Sequence, residues 1–277
     1  MSSDSLAGRR HVRAKRFLGQ NFLVDPNLQR KIVDTLSCST TDTVLEIGPG
    51  HGALTRHLVG RVGHLVLVEL DDQLVEELAR EWGTHPDVEL HHRDFLKLDV
   101  ASVAGDLSKL TVVGNIPYSI TAPIIFKLLE RPRPREILLM VQREVGDRLL
   151  ADPGTSEYGA MTVGVQSVAK VKRMLSVPRR AFRPIPRVDS SVVRIRPIFP
   201  PPISELEERS LRALTRAAFQ WRRKQLQKIL RDHGDLRFDP FLMDGIAEEM
   251  GWDLTRRPET FSPEDFIRLA RFVSSQE

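Results

Sequence analysis

From Thr43 onward, short apolar runs bounded by turn residues alternate with stretches whose apolar positions recur at helical spacing. The runs predict strands at Thr43 to Ile47, His64 to Glu69, Val88 to His92, Thr111 to Asn115 and Glu136 to Gln142, with helices between them. Such alternation marks a mostly parallel sheet with crossover helices, so an α/β fold is expected. A further helix is predicted near Tyr158 to Ala169, and the alternating runs Val171 to Val177 and Ser191 to Arg196 predict a closing antiparallel pair. Pro200-Pro201-Pro202 is a stiff linker. Beyond it the pattern is helical, first through Leu211, Leu214 and Ala218, then through Leu226, Ile229 and Leu230. Ser262-Pro263-Glu264-Asp265 reads as the start of the last helix, with Ser at the N-cap, Pro at N1 and an acid at N3. The expected organisation is a basic arm over residues 1–16, an α/β domain over 17–199 and a small all-helical domain over 200–277.

Composition narrows the setting. At 277 residues the chain is long enough for a full core. Its one cysteine, Cys38, excludes an intramolecular disulfide and fits a reducing compartment. No apolar run approaches the roughly 18 residues of a membrane span, so a cytoplasmic protein without a membrane partner is expected. The Ser- and Arg-rich first 16 residues leave a short transit segment open, although Asp4 and the brevity argue against it. The net charge is only +4, but it is segregated. Between Lys170 and Arg196, nine Lys or Arg face the single acid Asp189, and Arg222, Arg223, Lys224, Lys228 and Arg231 follow on one predicted helix. Arg9, Arg10, Arg13, Lys15 and Arg16 add a basic arm, whereas Glu69 to Asp94 is acidic. A basic face of this kind suits a polyanion, because each neutralised phosphate releases condensed counterions.

The most informative chemistry follows the fourth strand, in Asn115-Ile116-Pro117-Tyr118. A side-chain amide, a residue without a backbone donor and an aromatic ring are the parts needed to hold a flat, amino-bearing ring. The Asn115 carbonyl oxygen and the backbone carbonyl of Ile116 or Pro117 can accept the two N–H bonds of an exocyclic amine, with Tyr118 stacked on the base. The same residues also serve simply to end a strand and pack a ring.

Upstream, Glu46-Ile47-Gly48-Pro49-Gly50-His51-Gly52 closes the first strand and opens a helix. A dinucleotide fingerprint needs the spacing G-x-G-x-x-G, whereas here Gly48, Gly50 and Gly52 alternate after an acid within the strand. The loop resembles the adenosylmethionine loop of class I methyltransferases. Glu69 ends the second strand about 20 residues on, where a carboxylate can accept both ribose hydroxyls. Asp94, after the third strand, can accept from an adenine amine, and Asn115 ends the fourth. In an open parallel sheet, successive carboxyl ends border one crevice.

Together these residues resemble the ribosomal RNA adenine N6-dimethyltransferases, most closely the small-subunit dimethylases of the kasugamycin-sensitivity type. The likeness includes Leu18-Gly19-Gln20-Asn21-Phe22-Leu23-Val24-Asp25, the Glu46 to Gly52 loop, Asn115 to Tyr118, Gln142-Arg143-Glu144-Val145, Tyr158-Gly159 and Phe182 to Ser190. It implies a class I Rossmann-like methyltransferase sheet, mostly parallel with an antiparallel closing strand, and a small C-terminal all-helical domain. It also implies adenosylmethionine as cofactor and no metal. Asn21 and Leu23 would close over the methionine end of the cofactor, Gly48 and Gly50 would approach it, Glu69 would bind ribose and Asp94 adenine, and Asn115 would border both cofactor and target. Phe182, which by residue type alone reads as a core aromatic, would sandwich the flipped base opposite Tyr118. Arg183, Arg187, Arg222, Arg223 and Lys224 would meet RNA. The implied substrate is a pair of adjacent adenosines in the 3′-terminal hairpin loop of 16S RNA, in the small ribosomal subunit or its precursor, each taking two methyl groups from a monomeric enzyme.

Two departures stand out: Ile116 where many relatives carry Leu, and Gln225 where Thr is expected after the basic triplet. Three alternatives remain at this stage. They are a large-subunit adenine dimethylase of the macrolide-resistance type, a non-catalytic RNA-binding assembly or transcription factor on the same fold, and a nicotinamide oxidoreductase, which the glycine spacing disfavours.

Overall fold

The structure is a computed structural model that describes residues 20–236 and 238–276. The basic arm of residues 1–16 lies outside them. The strands are β1 (Phe22–Leu23), β2 (Thr43–Ile47), β3 (His64–Glu69), β4 (Val88–His92), β5 (Thr111–Asn115), β6 (Glu136–Gln142), β7 (Ala169–Val177), β8 (Phe182–Arg183) and β9 (Ser190–Pro197). The helices are α1 (Pro26–Asp34), α2 (Thr55–Leu58), α3 (Asp72–Trp82), α4 (Val100–Ala104), α5 (Thr121–Leu128), α6 (Arg143–Leu149), α7 (Ala160–Gln166), α8 (Glu205–Gln220), α9 (Leu226–Asp232), α10 (Pro240–Met250) and α11 (Pro263–Ser274).

Seven strands form one sheet in the order β4-β3-β2-β5-β6-β9-β7. The first five are parallel, and β9 and β7 close the sheet antiparallel. The chain winds outward from β2 through β3 and β4, then returns to place β5 on the other side of β2, so the strand order reverses between β2 and β5. A crevice at the carboxyl ends of those strands is the geometric consequence. The five parallel strands stand where the apolar runs predicted them.

Both faces of the sheet are covered, which explains why its strands read as continuous apolar runs. Alternate residues point to opposite sides: Leu45, Val112 and Leu139 join one core, while Val44, Val113 and Leu138 join the other. The second core also takes in α1 through Ile32 and Val33, and α3 through Leu78 and Trp82. On the first face, α8 and α11 pack on α7, and Leu211, Leu214, Phe266 and Leu269 lie in the same cluster as Val163 and Val165. The Tyr158 hydroxyl donates to the Phe261 carbonyl at 2.8 Å, and the rings of Tyr158, Phe219 and Phe266 follow one another at centroid spacings of 5.9 Å. Each fully buried side chain of this size contributes about 1.5–3 kcal/mol to the attachment.

The predicted helix at Tyr158 to Ala169 is shorter, Ala160–Gln166, because Tyr158 turns inward before it and β7 begins at Ala169. The start of α11 matches its sequence signature, with Ser262 accepting from the Asp265 N–H at 3.1 Å and Asp265 accepting in return. The basic run from Arg222 to Arg231 does not form one helix. Helix α8 ends at Gln220, a turn follows, and α9 starts at Leu226 because the first N–H groups there, of Leu226 and Gln227, donate to the carbonyls of Arg256 and Leu254 at 2.9 Å.

Candidate active site

The carboxyl ends of β2, β3, β4 and β5 open into a cleft of about 980 Å³, roofed by the segment before α1. That roof is tied down at four points. Strand β1 pairs with β8, Phe22 opposite Arg183 and Leu23 opposite Phe182, and the Gln29 amide donates to the Leu23 carbonyl at 2.9 Å. The Gln20 amide nitrogen donates to Asp71 at 3.0 Å, and the Asn115 amide nitrogen donates to the Asn21 carbonyl at 2.8 Å. Asn21, Leu23, Gly48, Gly50, Glu69, Asp94, Asn115, Ile116, Pro117 and Tyr118 therefore border one cavity.

The glycine loop lies between β2 and α2. Gly50 has φ +58°, and a Cβ there would stand 3.1 Å from the Phe22 ring. Gly52 has φ +70°, and a Cβ there would stand 2.1 Å from the Trp82 ring. Only glycine supplies this left-handed backbone without strain and at this approach. Gly48 and Gly50 thus turn bare backbone to the cleft, whereas Gly52 makes room for the Trp82 ring of the core.

Glu69 is buried, and its carboxylate accepts from three backbone N–H groups, those of Gly50 at 3.2 Å, Leu70 at 2.8 Å and Asp71 at 2.9 Å. Gly50 uses Oε2 and the other two use Oε1, so Oε2 retains accepting capacity toward a hydroxyl. Burial pushes the Glu69 carboxyl up, against the pull of those three bonds. Asp94 takes the Leu96 N–H on Oδ1 at 2.9 Å, as the cap of a short helical turn, and leaves Oδ2 for an amine donor. A hydroxyl acceptor, an amine acceptor and an open glycine backbone along one trough fit an adenosine carrying an extended substituent.

At the far end of the cleft, the bond to Asn21 fixes the Asn115 amide so that Oδ1 is its acceptor. Ile116 is buried, which anchors the turn. The Pro117 carbonyl already accepts from the Ile120 N–H at 3.2 Å and the Thr121 hydroxyl at 3.4 Å. Tyr118 is half-buried, with its hydroxyl 2.8 Å from Ser190 Oγ, and burial pushes its phenol up.

Phe182 requires a correction. Its ring is fully buried in the core beneath β1, among Leu23, Ile32 and Val177, and does not line the cleft. Pairing of β8 with β1 turns it inward and brings Arg183 and Pro184 to the cleft wall instead. Arg183 and Arg187 are exposed. In the tail, Arg222 is half-buried and donates to Glu259 at 2.5 Å, to the Ser156 carbonyl at 2.8 Å and to the Thr155 carbonyl at 3.0 Å, while Arg223 and Lys224 are exposed.

Three groups escaped the sequence reading as participants. Asp71 is the cap of α3 and accepts from the Gln20 amide, and Ser190 shares a hydrogen bond with the Tyr118 hydroxyl. Glu46, noted only as the acid before the glycines, is fully enclosed, accepts from the Thr55 hydroxyl at 2.7 Å and has its carboxyl pushed up by burial to about 7. An Asp-Asp pair just before a helix signals the first; pairing across 72 residues hid Ser190, and burial within the fold hid Glu46. Among the described residues no cluster of three or more His, Cys, Asp or Glu is placed to hold a metal ion, and no helix is long and apolar enough to cross a membrane.

A mostly parallel seven-stranded sheet with a glycine loop after its first long strand and acids at the next two strand ends defines a class I adenosylmethionine-dependent methyltransferase. Within that class, the chain belongs to the ribosomal RNA adenine dimethylase family, whose description matches residues 11–268. It is 39% identical over 262 residues to the ribosomal RNA small subunit methyltransferase A of Bacillus mycoides, covering 92% of this chain and 90% of the relative. Among solved structures it resembles a dimethyladenosine transferase from Plasmodium falciparum, with a TM-score of 0.78 and 26% identity over 90% of this chain and 95% of that one. It also resembles the 23S rRNA methyltransferase ErmE, with a TM-score of 0.69 and 26% identity over 91% of this chain and 99% of that one. The chain is a methyltransferase.

Proposed function

We propose that this enzyme transfers methyl groups from adenosylmethionine to N6 of two adjacent adenosines in the 3′-terminal hairpin loop of 16S RNA, giving two dimethyladenosines during small-subunit biogenesis. The observation that carries the reading is the Asn115 amide, held by the Asn21 carbonyl at 2.8 Å with its oxygen left as an acceptor beside the glycine loop and Tyr118. Adenosylmethionine supplies a methyl group already activated by its positive sulfur. The protein's task is therefore alignment of an amine nitrogen in line with that group.

Glu69 would hold the ribose hydroxyls, Asp94 the cofactor's adenine, Gly48 and Gly50 the backbone-facing side, and Asn21 and Leu23 the methionine end. An aniline-like amine is a weak nucleophile because its lone pair is delocalised into the ring. Asn115 Oδ1 accepts one N–H bond of the target, and the Ile116 carbonyl accepts the other, since that of Pro117 is already engaged. These bonds favour the pyramidal nitrogen and act only where charge develops. Tyr118 stacks on the base, an interaction worth roughly 1–3 kcal/mol. The methylated nitrogen loses its extra proton to solvent or to a neighbouring carbonyl, and Asn115 orients without titrating. The cleft of about 980 Å³ supports a pocket with room for a second methyl.

The relatives named for the small subunit, at 39% identity, support that substrate over the large subunit, and the intact Glu69, Asp94 and Asn115 to Tyr118 support activity over a purely binding role. The cleft is complete within this chain, in keeping with action as a monomer, and a ribosomal substrate is in keeping with a cytoplasmic protein. Small subunits lacking the modification and large-subunit RNA, offered in parallel with radiolabelled adenosylmethionine, test the assignment. Label is expected in dimethyladenosine of the small-subunit RNA, and label confined to the large-subunit RNA would overturn the choice.

A further inference from the structure

A second hollow, of about 480 Å³, lies across α5 from the cleft. Ile124 of that helix borders the cleft, whereas Phe126 and Leu129 border the hollow, so one helix is the wall between the two. Residues two apart on an α-helix are rotated by about 200° and so point to nearly opposite sides, which is how they come to serve opposite cavities. The other walls are α7, which presents backbone at Gly164, and α8, which presents Leu211 and Phe219. Phe126 stays 40% exposed, unlike the tightly enclosed rings of Tyr158, Phe261 and Phe266. A Cβ at Gly164 would stand 3.1 Å from the Phe126 ring, so the ring rests directly on the α7 backbone.

The rim is cationic. Arg209, Arg212 and Arg216 recur at helical spacing on the exposed side of α8, and the last two border the hollow. Its acid, Glu208, is buried, holds Arg131 and Arg133 at 2.6 Å and lies 4.0 Å from Arg212, so one carboxylate faces three guanidinium groups and the rim keeps a net positive charge. Arg133 Nη1, also part of this wall, is buried without a hydrogen-bond partner among the described residues.

We propose that the hollow takes a second, unstacked nucleotide of the same RNA, its base against Phe126 and its phosphates on Arg212 and Arg216. This rests on the reading that RNA is the substrate. An aromatic face flanked by cations holds a single-stranded base by stacking and charge together, and loop nucleotides splay outward at little cost. A neutral apolar ligand gains nothing from the arginines, and a free phosphate gains nothing from the ring. The two cavities are one helix diameter apart, about 10 Å, which lets one RNA loop reach both.

The test uses the full chain and small subunits lacking the modification. Phe126→Leu keeps the apolar volume and removes the ring; it is expected to raise KM for the particle about five-fold or more, with kcat and the Kd for adenosylmethionine unchanged. Phe126→Trp is expected to restore KM. Arg212→Gln with Arg216→Gln is expected to flatten the dependence of log KM on log salt by about 1.5. Ultraviolet crosslinking followed by peptide mass spectrometry is expected to find a nucleotide adduct on α5 or α8. Wild-type KM in Phe126→Leu together with no adduct on these helices would overturn the hollow while leaving the methylation reading intact. Failure of the wild-type enzyme to methylate the particles would instead sink the substrate reading. Thermal stabilisation by dodecanoate, with RNA kinetics indifferent to all three variants, would overturn the nucleotide in favour of an amphiphilic carboxylate.

Discussion

The carboxyl edge of the sheet and the turn between α8 and α9 are both polar, and both are tied by hydrogen bonds, but the bonds leave different things behind. At the sheet edge Asn115 gives its amide N–H to Asn21, and Glu69 takes three backbone N–H groups, yet each keeps an acceptor open to the cleft. At the turn, Arg222 directs all of its guanidinium nitrogens to Glu259, Ser156 and Thr155. Its two basic neighbours remain exposed. Bonding at the cleft therefore orients groups for a ligand, whereas bonding at the turn fastens the tail to the loop before α7. Charge alone does not distinguish a binding arginine from a clamping one.

The largest test of that contrast is Asn115→Ala. Loss of one preorganised acceptor is expected to lower kcat by roughly 10²–10³-fold, with the melting temperature little changed, in a methyl-incorporation assay. Wild-type turnover would end the orienting role. Next comes Glu46→Gln at the same edge. Burial pushes the Glu46 carboxyl up to about 7 against 4.5 as its ordinary value, so the contribution of this group to stability is fully present below pH 4.5 and is lost as pH rises through 7. The loss at pH 8 is about 3 kcal/mol. The glutamine retains an acceptor for Thr55, so the variant is expected to be more stable than wild type at pH 8 and equal to it at pH 4, as read by urea titration at both.

On the tail side, Arg222→Ala is expected to cost about 1–2 kcal/mol of stability, since a partly buried ion pair and two carbonyl bonds are lost. Arg223→Ala with Lys224→Ala is expected to leave the melting temperature unchanged while reducing the salt dependence of particle binding. If Arg222→Ala melts like wild type, the clamp is not a clamp. The smallest effect belongs to Tyr118→Phe, which removes the bond to Ser190 and keeps the ring. A change of about 1 kcal/mol or less in KM for RNA is expected, measured beside Tyr118→Ala, which should lose the stacking as well.

How much could be read in advance differs between these regions for a physical reason. Strand ends are set by local pattern: an apolar run stops at Glu69 or Asn115, and parallel pairing then brings every such end to one side. The cleft was legible for that reason, as were the cap at Ser262 and the turn-forming glycines. The break after Gln220 was not, because it depends on carbonyls of Arg256 and Leu254, some 30 residues away, reaching the first N–H groups of α9. Phe182 was misplaced for a related cause. Its inward turn depends on β8 pairing with β1, across about 160 residues, and a two-residue strand carries no periodicity of its own.

By itself, then, the order of residues determined the strand and helix pattern, the class of sheet, the glycine loop and the identities of the groups at the strand ends, because each follows from short-range periodicity and backbone sterics. Tertiary structure alone decided which oxygen of Asn115 and Glu69 remains open, that Phe182 is core, that Arg222 is a clamp and that α5 divides two cavities. Those outcomes depend on which hydrogen-bond partner a distant segment brings within 3 Å, and no local pattern encodes that distance.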